Sequence, residues 1–141
     1  AVSMIEKQGV RANVGIILLN DTGQVFWGRR CGMAAWQFPQ GGIQGRETPR
    51  EAMFRELEEE IGLQPPHVEV LGSTGGWMRY RLPRRYIRYH QKPICIGHKQ
   101  RWFVMRLVAD EGALDLQRAS EPEFDQWRWI NYWDALEDVV D

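Results

Sequence analysis

A mixed α/β fold, with helices flanking a mixed β-sheet, is what this chain predicts, and three observations predict it. A helix is signed at both ends between Thr48 and Gly62. The run Val14-Gly15-Ile16-Ile17-Leu18-Leu19 is apolar throughout, as in a central strand buried on both faces. Further segments of strand length and composition lie on both sides of the helix, the last being Phe124 to Ile130.

Taken in order, Asn20-Asp21-Thr22-Gly23 is a turn, and Gln24 to Arg29 returns as a hairpin partner of the first strand. Trp36-Gln37-Phe38-Pro39-Gln40 leads into a glycine loop, with Pro39 limiting it to a short or edge strand. Thr48 and Glu51 then form a capping box, Pro49 takes the first helical position and Gly62 is the stop. Met53, Phe54, Leu57 and Ile61 fall on one arc of roughly 100°. Val68 to Ser73 reads as a strand, and Gly75-Gly76 opens a basic stretch with little periodicity around Pro83 and Pro93. Gln100 to Val108 is a strong strand whose Trp102, Phe103, Val104, Met105 and Leu107 cover two faces. After Phe124 to Ile130, Tyr132 to Val140 reads as a helix. No repeat, linker or low-complexity tract divides the chain, and 141 residues suit one domain, 1–141, with a core that needs no staples.

Composition narrows the function. With no run of eighteen apolar residues and no signal-peptide pattern, the expectation is a soluble cytoplasmic protein that does not engage a membrane. Ala1-Val2-Ser3 before Met4 reads as a cloning scar. Cys31 and Cys95 lack any paired spacing and are expected to be reduced packing residues. His67, His90 and His98 are too scattered to read as a metal set, and the tryptophans, Trp127, Trp129 and Trp133 among them, read as packing residues. Charge is balanced overall but unevenly placed. Residues 71–109 hold nine Lys or Arg and no Asp or Glu, whereas residues 110–141 hold ten acids against Arg118 and Arg128. An acid-free basic segment suits a substrate with a string of phosphates.

The helix carries the chemistry. Glu56, Glu59 and Glu60 lie on the arc beside its apolar stripe. Carboxylates at these spacings repel by a few tenths of a kcal/mol per pair. Glu58, Glu59 and Glu60 also crowd the C-terminal turn, where the helix dipole disfavours each anion by roughly 0.3–1 kcal/mol. Two readings fit: a solvated acidic face, or a site in which Mg²⁺ cancels the repulsion and keeps positions open for water and phosphate oxygens. The acids border the apolar stripe instead of opposing it, and a glycine loop lies just upstream.

A wider pattern decides between them. Gly41, Glu47, Arg55-Glu56, Leu57, Glu58-Glu59-Glu60, Ile61, Gly62 and Leu63 match every defined position of the Nudix box, so the chain resembles Nudix hydrolases. One departure is Gly45-Arg46 before Glu47, where many relatives place Gly directly before the Glu; Arg tolerates positive φ poorly. The likeness continues in Arg11-x-Asn13-Val14-Gly15-Ile16, Trp36 to Ile43, and Pro122-Glu123-Phe124-Asp125-x-Trp127-x-Trp129. These are similar to the branch of bacterial RNA pyrophosphohydrolases and dinucleoside tetraphosphate hydrolases. Trp77-x-Arg79-Tyr80-x-Leu82-Pro83 and Lys92-Pro93-Ile94-Cys95-Ile96-Gly97-His98-Lys99-Gln100-x-Trp102-Phe103 lean towards the RNA enzymes.

The resemblance implies a Nudix-type α/β/α sandwich with a mixed β-sheet and a metal-dependent pyrophosphohydrolase. Glu56, Glu59 and Glu60 would be catalytic metal ligands, joined by Glu123 and Gly41, with two or three Mg²⁺ (or Mn²⁺) ions bound alongside substrate. Glu56 is also the first candidate for general base. Glu47 and Arg55 would orient loop and helix, Arg11 and Arg30 clamp phosphate (with Arg29 competing for the second place), and Tyr80 and Arg84 contact RNA. Three substrate classes follow: RNA 5′ ends, taken to 5′-monophosphate; dinucleoside polyphosphates; and pool nucleotides, which the basic run disfavours. A non-catalytic nucleic-acid-binding module is the reading from another class, and the intact box acids weigh against it.

Overall fold

The computed structural model describes residues 9–90 and 95–137. Residues 1–8 with the expected scar, Lys92-Pro93-Ile94, and the far end of the expected last helix lie outside the described residues. The strands are β1 (Val10–Leu19), β2 (Val25–Arg30), β3 (Trp36–Gln37), β4 (Gln40–Gly42), β5 (Val68–Ser73), β6 (Met78–Arg81), β7 (Gly97–Leu107) and β8 (Phe124–Ile130). The helices are α1 (Pro49–Ile61) and α2 (Tyr132–Glu137).

Two long parallel strands, β1 and β7, form the spine of one mixed sheet, in register from Val10↔Gly97 to Leu19↔Arg106. Each shares its outer edge between two partners. β1 pairs with β4 through Asn13, Val14 and Gly15, then meets β2 only at Leu19↔Val25. β7 pairs with β6 from Gly97 to Gln100, then with β5 from Phe103 to Leu107. One end of the sheet is therefore β4-β1-β7-β6, and the other runs outward through β2 to β8. The expected hairpin forms, but only at its closed end. The Asn20–Gly23 turn forms, but β2 commits its ladder to β8, from Val25↔Ile130 to Arg30↔Phe124. A further difference is β6, where the basic stretch offered no periodicity.

Alternation divides β1 between two cores. Val14, Ile16 and Leu18 face α1 and pack with Phe26, Phe103, Met105 and Leu107 against Ala52, Met53, Leu57 and Ile61. Ile17 and Leu19 face the other way, towards Val25 and Trp27, with Trp36, Phe38 and Ile130. Each fully buried aliphatic or aromatic side chain contributes about 1.5–3 kcal/mol of hydrophobic stabilisation. Helix α1 is held at both ends as expected. Thr48 Oγ1 accepts from the Glu51 N–H, Glu51 answers by accepting from the Thr48 N–H, and Gly62 closes the helix at φ 76°.

The tryptophans pack largely as expected: Trp27 is buried, and the half-buried Trp127 and Trp129 lie against one core and Trp36 against the other. Trp133, read as a packing residue, is instead 73% exposed and meets Tyr132 edge-on. Cys31 is likewise exposed: it sits in the turn after β2, with Sγ against the Pro122 carbonyl.

Candidate active site

The loop from β4 into α1 is built around Arg55. Its Nε and Nη2 donate to the two oxygens of Glu47 at 2.6 and 2.9 Å, and Nη2 also donates to the Gly42 carbonyl at 2.7 Å. Glu47 Oε1 accepts in addition from the Gln44 N–H at 2.8 Å. Arg55 thus ties helix, loop and strand with one planar fork, a geometry Lys lacks. The hydrogen bonds from Arg55 hold Glu47 below the usual carboxylate range, and Glu47 in turn raises Arg55. The Gly45-Arg46 departure is absorbed locally: Gly45 takes the left-handed conformation at φ 51°, and Arg46 does not.

Within this frame the helix acids separate. Glu56 and Glu60 were expected at the edge of the apolar stripe, yet at 1% and 4% exposed they are as buried as the leucines beside them. Strand β4 covers them. A Cβ added at Gly41 would collide with the Glu56 carboxylate, so a residue without a side chain is what lets the backbone approach. Arg55 Nη1 donates to Glu56 Oε1 at 2.7 Å, but Oε2 of Glu56 and Oε2 of Glu60 are both buried without a hydrogen-bond partner. Burial, then the charge of Glu56 and a hydrogen bond with it, push Glu60 well above the ordinary carboxylate range; Glu123 adds to the push, and the Gln40 N–H opposes it.

Glu59 does not join the pair in this conformation. It is at the exposed rim, with Oε2 accepting from Arg55 Nη1 at 3.2 Å. Among the described residues, no three acids, His or Cys are closed up into a metal cage. Two orphaned carboxylate oxygens against a glycine backbone nevertheless suit a hard divalent cation, which takes oxygen ligands and relieves buried like charge. The residues present fit such a group.

The other sequence candidates distribute around this centre. Glu123, from the loop before β8, forms an ion pair at 3.4 Å with Arg30, and its charge reaches Glu60. Arg29 is committed elsewhere, to a two-pronged pair with Asp125 at 2.8 and 2.9 Å. The structure therefore separates the two arginines: Arg30 borders the acids and Arg29 braces β2 against β8. Arg11 is on the β1 face away from Glu56, with Nε buried and unpartnered. It is in register with His98, which burial first and Arg11 second hold below the usual imidazole range. Tyr80 pairs with His98 along β6, and Arg84 is in an exposed 3₁₀ turn, Arg84–Tyr86. His67 caps its own turn by accepting from the Gln64 N–H and takes no part.

A profile of the NUDIX domain matches residues 9–141. The chain belongs to the Nudix family. It is a hydrolase of phosphoanhydride bonds. It is 60% identical to a protein of Alkalilimnicola ehrlichii named RNA pyrophosphohydrolase, over 97% of this chain and 76% of the relative. A Pseudomonas aeruginosa protein of the same name is 56% identical, over 97% and 86%. Among solved Nudix folds, the Escherichia coli dihydroneopterin triphosphate pyrophosphohydrolase superposes with a TM-score of 0.71 at 16% identity, covering 94% of this chain and 89% of that one. A Caenorhabditis elegans Ap4A hydrolase superposes at 0.65 with 15% identity, over 92% and 85%. At those identities the likeness is one of fold.

The Glu60 shift has a consequence for stability. A carboxyl raised in the fold favours the native state only while protonated. Its contribution is present below the ordinary Glu value of about 4.3 and is lost as pH rises through the folded value. In chelator, Glu60→Gln should therefore melt above wild type at neutral pH, with the gap narrowing as pH falls towards 4.5. Thermal melts across that range check it; a wild type as stable as the variant at pH 7 would contradict the buried like-charge pair.

Proposed function

We propose that this chain is an RNA 5′-pyrophosphohydrolase. It takes 5′-triphosphate or 5′-diphosphate RNA ends to 5′-monophosphate and releases pyrophosphate or phosphate, work that belongs in the cytoplasm. The observation that carries this reading is the buried Glu56–Glu60 pair under Gly41, together with the basic segment 71–109, which contains no Asp or Glu. The high identity to proteins named RNA pyrophosphohydrolase supports the same substrate. Among the described residues no helix is long and apolar enough to cross a membrane.

Glu56, Glu60, Glu59 and Glu123, with Gly41, would hold Mg²⁺, for which Mn²⁺ can substitute, in two or three ions alongside substrate. When bound, the metal supplies charge neutralisation for phosphoryl transfer and an acidified water. The chain's own residues do the rest. Glu56 is the candidate to take the water's proton, and Arg55 fixes the direction of its carboxylate. Arg30 is placed to trade its exposed pair with Glu123 for phosphate oxygens, a small loss because such surface pairs are worth about 0–1 kcal/mol. Arg11, on the face of β1 away from Glu56, would join Tyr80 and Arg84 in meeting the substrate beyond the reacting phosphates.

Charge removal on the path for RNA tests the reading. Arg84, Arg85 and Arg88 together replaced by Gln should raise KM for triphosphorylated RNA and flatten its salt dependence, by about 0.7 in slope for each phosphate no longer neutralised. Hydrolysis of diadenosine tetraphosphate, which trails no backbone, should change far less. Equal losses on both substrates would point to a general field and favour the dinucleoside polyphosphate as substrate.

A further inference from the structure

Lys99 and Arg101 are part of the basic run but not of its exposed surface. Strand β7 runs in unbroken register against β1, so its alternation places both on the face of Phe103 and Met105, towards α1. Lys99 is only 9% exposed, with Nζ 4.3 Å from the centre of the Trp77 ring. The Arg101 guanidinium is 5.9 Å from the same ring. Its Nε is buried with no hydrogen-bond partner, and its Nη2 has only a long contact of 3.4 Å to the Thr74 carbonyl. An aromatic face steadies a cation but satisfies no N–H, so the Arg101 fork is left under-used at a desolvation cost.

Register connects this pair to the acids. Gly41, Val14 and Arg101 form one row across β4, β1 and β7, and Ala12 and Lys99 lie in the next row of the same face. With strands about 4.8 Å apart, the Arg101 backbone is about 10 Å from Gly41. The Glu56 carboxylate packs against that glycine on the same side of the sheet. Acids and cations thus lie on one face of the sheet about two strands apart, a separation that a guanidinium and a short phosphate chain together can span.

We propose that Lys99 and Arg101, stacked on Trp77, anchor the outer phosphates of the polyphosphate, while its reacting end would lie at the metal that Glu56 and Glu60 would hold. Arg101, half-buried, supplies a fork for two phosphate oxygens, and Lys99, nearly withdrawn from water, a point charge. The outer phosphates become the leaving group, so this anchor favours triphosphate ends over monophosphate product. The assignment rests on the phosphoanhydride reading and deepens it by naming what grips the departing phosphates.

Calorimetric titration of the metal-free protein with inorganic tripolyphosphate tests it without catalysis. Lys99→Met and Arg101→Gln should each weaken binding by about tenfold and reduce its salt dependence, while Lys99→Arg keeps most of the affinity. Both Met and Gln variants should raise KM for triphosphorylated RNA, and their affinity for adenosine monophosphate should hold. Unchanged tripolyphosphate affinity in both, or no binding by wild type, would overturn the anchor. So would equal losses in Lys99→Arg and Lys99→Met, the signature of a purely structural lysine. If a variant does not fold, Lys99→Arg and Arg101→Lys carry the test, with the lysine at 101 expected to lose affinity because it lacks the fork. Wild type that binds tripolyphosphate but leaves triphosphorylated RNA intact would uphold the anchor and overturn only the RNA assignment.

Discussion

Glu56→Gln and Glu60→Gln are each expected to cut turnover by at least about a hundredfold while leaving the protein folded. Loss of a partner one step removed from a metal commonly costs ten- to a hundredfold, so a direct ligand should cost at least that. The amide keeps the shape of the side chain, which matters because both are packed beneath β4 at 1% and 4% exposure. It loses the charge that would hold a divalent ion. Removing one of two buried like charges also removes repulsion along the helix, so melting temperature should hold or rise. Steady-state rates at limiting Mg²⁺, read beside melts, check both halves. A variant with near-wild-type rates would show that its carboxylate is not a ligand.

The second large effect is expected at Arg55. Arg55→Lys keeps the charge but cannot reach Glu47, Gly42, Glu56 and Glu59 at once, as the guanidinium does. Glu56 would lose the guanidinium that pairs its buried carboxylate, a penalty of about 1–3 kcal/mol or more for a charged group. The loop would lose its tie to the helix. Displacement of a reacting group by about 1 Å can cost a hundredfold in rate, so kcat should fall by that order while the melting temperature also drops. The two readouts distinguish this residue from the ligands, whose loss lowers rate without lowering stability. An Arg55→Lys protein with an unchanged kcat would contradict its positioning role.

What was legible in the sequence was what local chemistry encodes. Thr48, Glu51, Pro49 and Gly62 write the ends of α1 into four side chains, and the structure forms both caps as read. β1, β7 and β8 declared themselves through long apolar or alternating runs. What was not legible shares a cause, which is dependence on partners distant in the chain. β2 is the hairpin partner of β1 that its local turn announces, but its longer ladder is with β8, far along the chain and invisible locally. Arg29 and Arg30 are indistinguishable neighbours until Asp125 claims the first and Glu123 the second. Helical geometry placed Glu56 and Glu60 beside the buried stripe; only the approach of Gly41 puts them inside it, with Glu59 left at the rim. Lys99 and Arg101 were hidden among nine basic residues, and period-two alternation against Phe103 was the signal that could have found them.

Metal-dependent removal of phosphates from the 5′ end of RNA, served by Glu56 and Glu60, is the central claim. Incubating purified protein with 5′-triphosphorylated RNA, in Mg²⁺ and in chelator, and analysing both the RNA ends and the released phosphates tests it most directly. The predicted result is intact RNA carrying a 5′-monophosphate, with pyrophosphate or phosphate released, in Mg²⁺ alone. Internal cleavage of the RNA, an unchanged triphosphate end, or turnover that persists in chelator would contradict it.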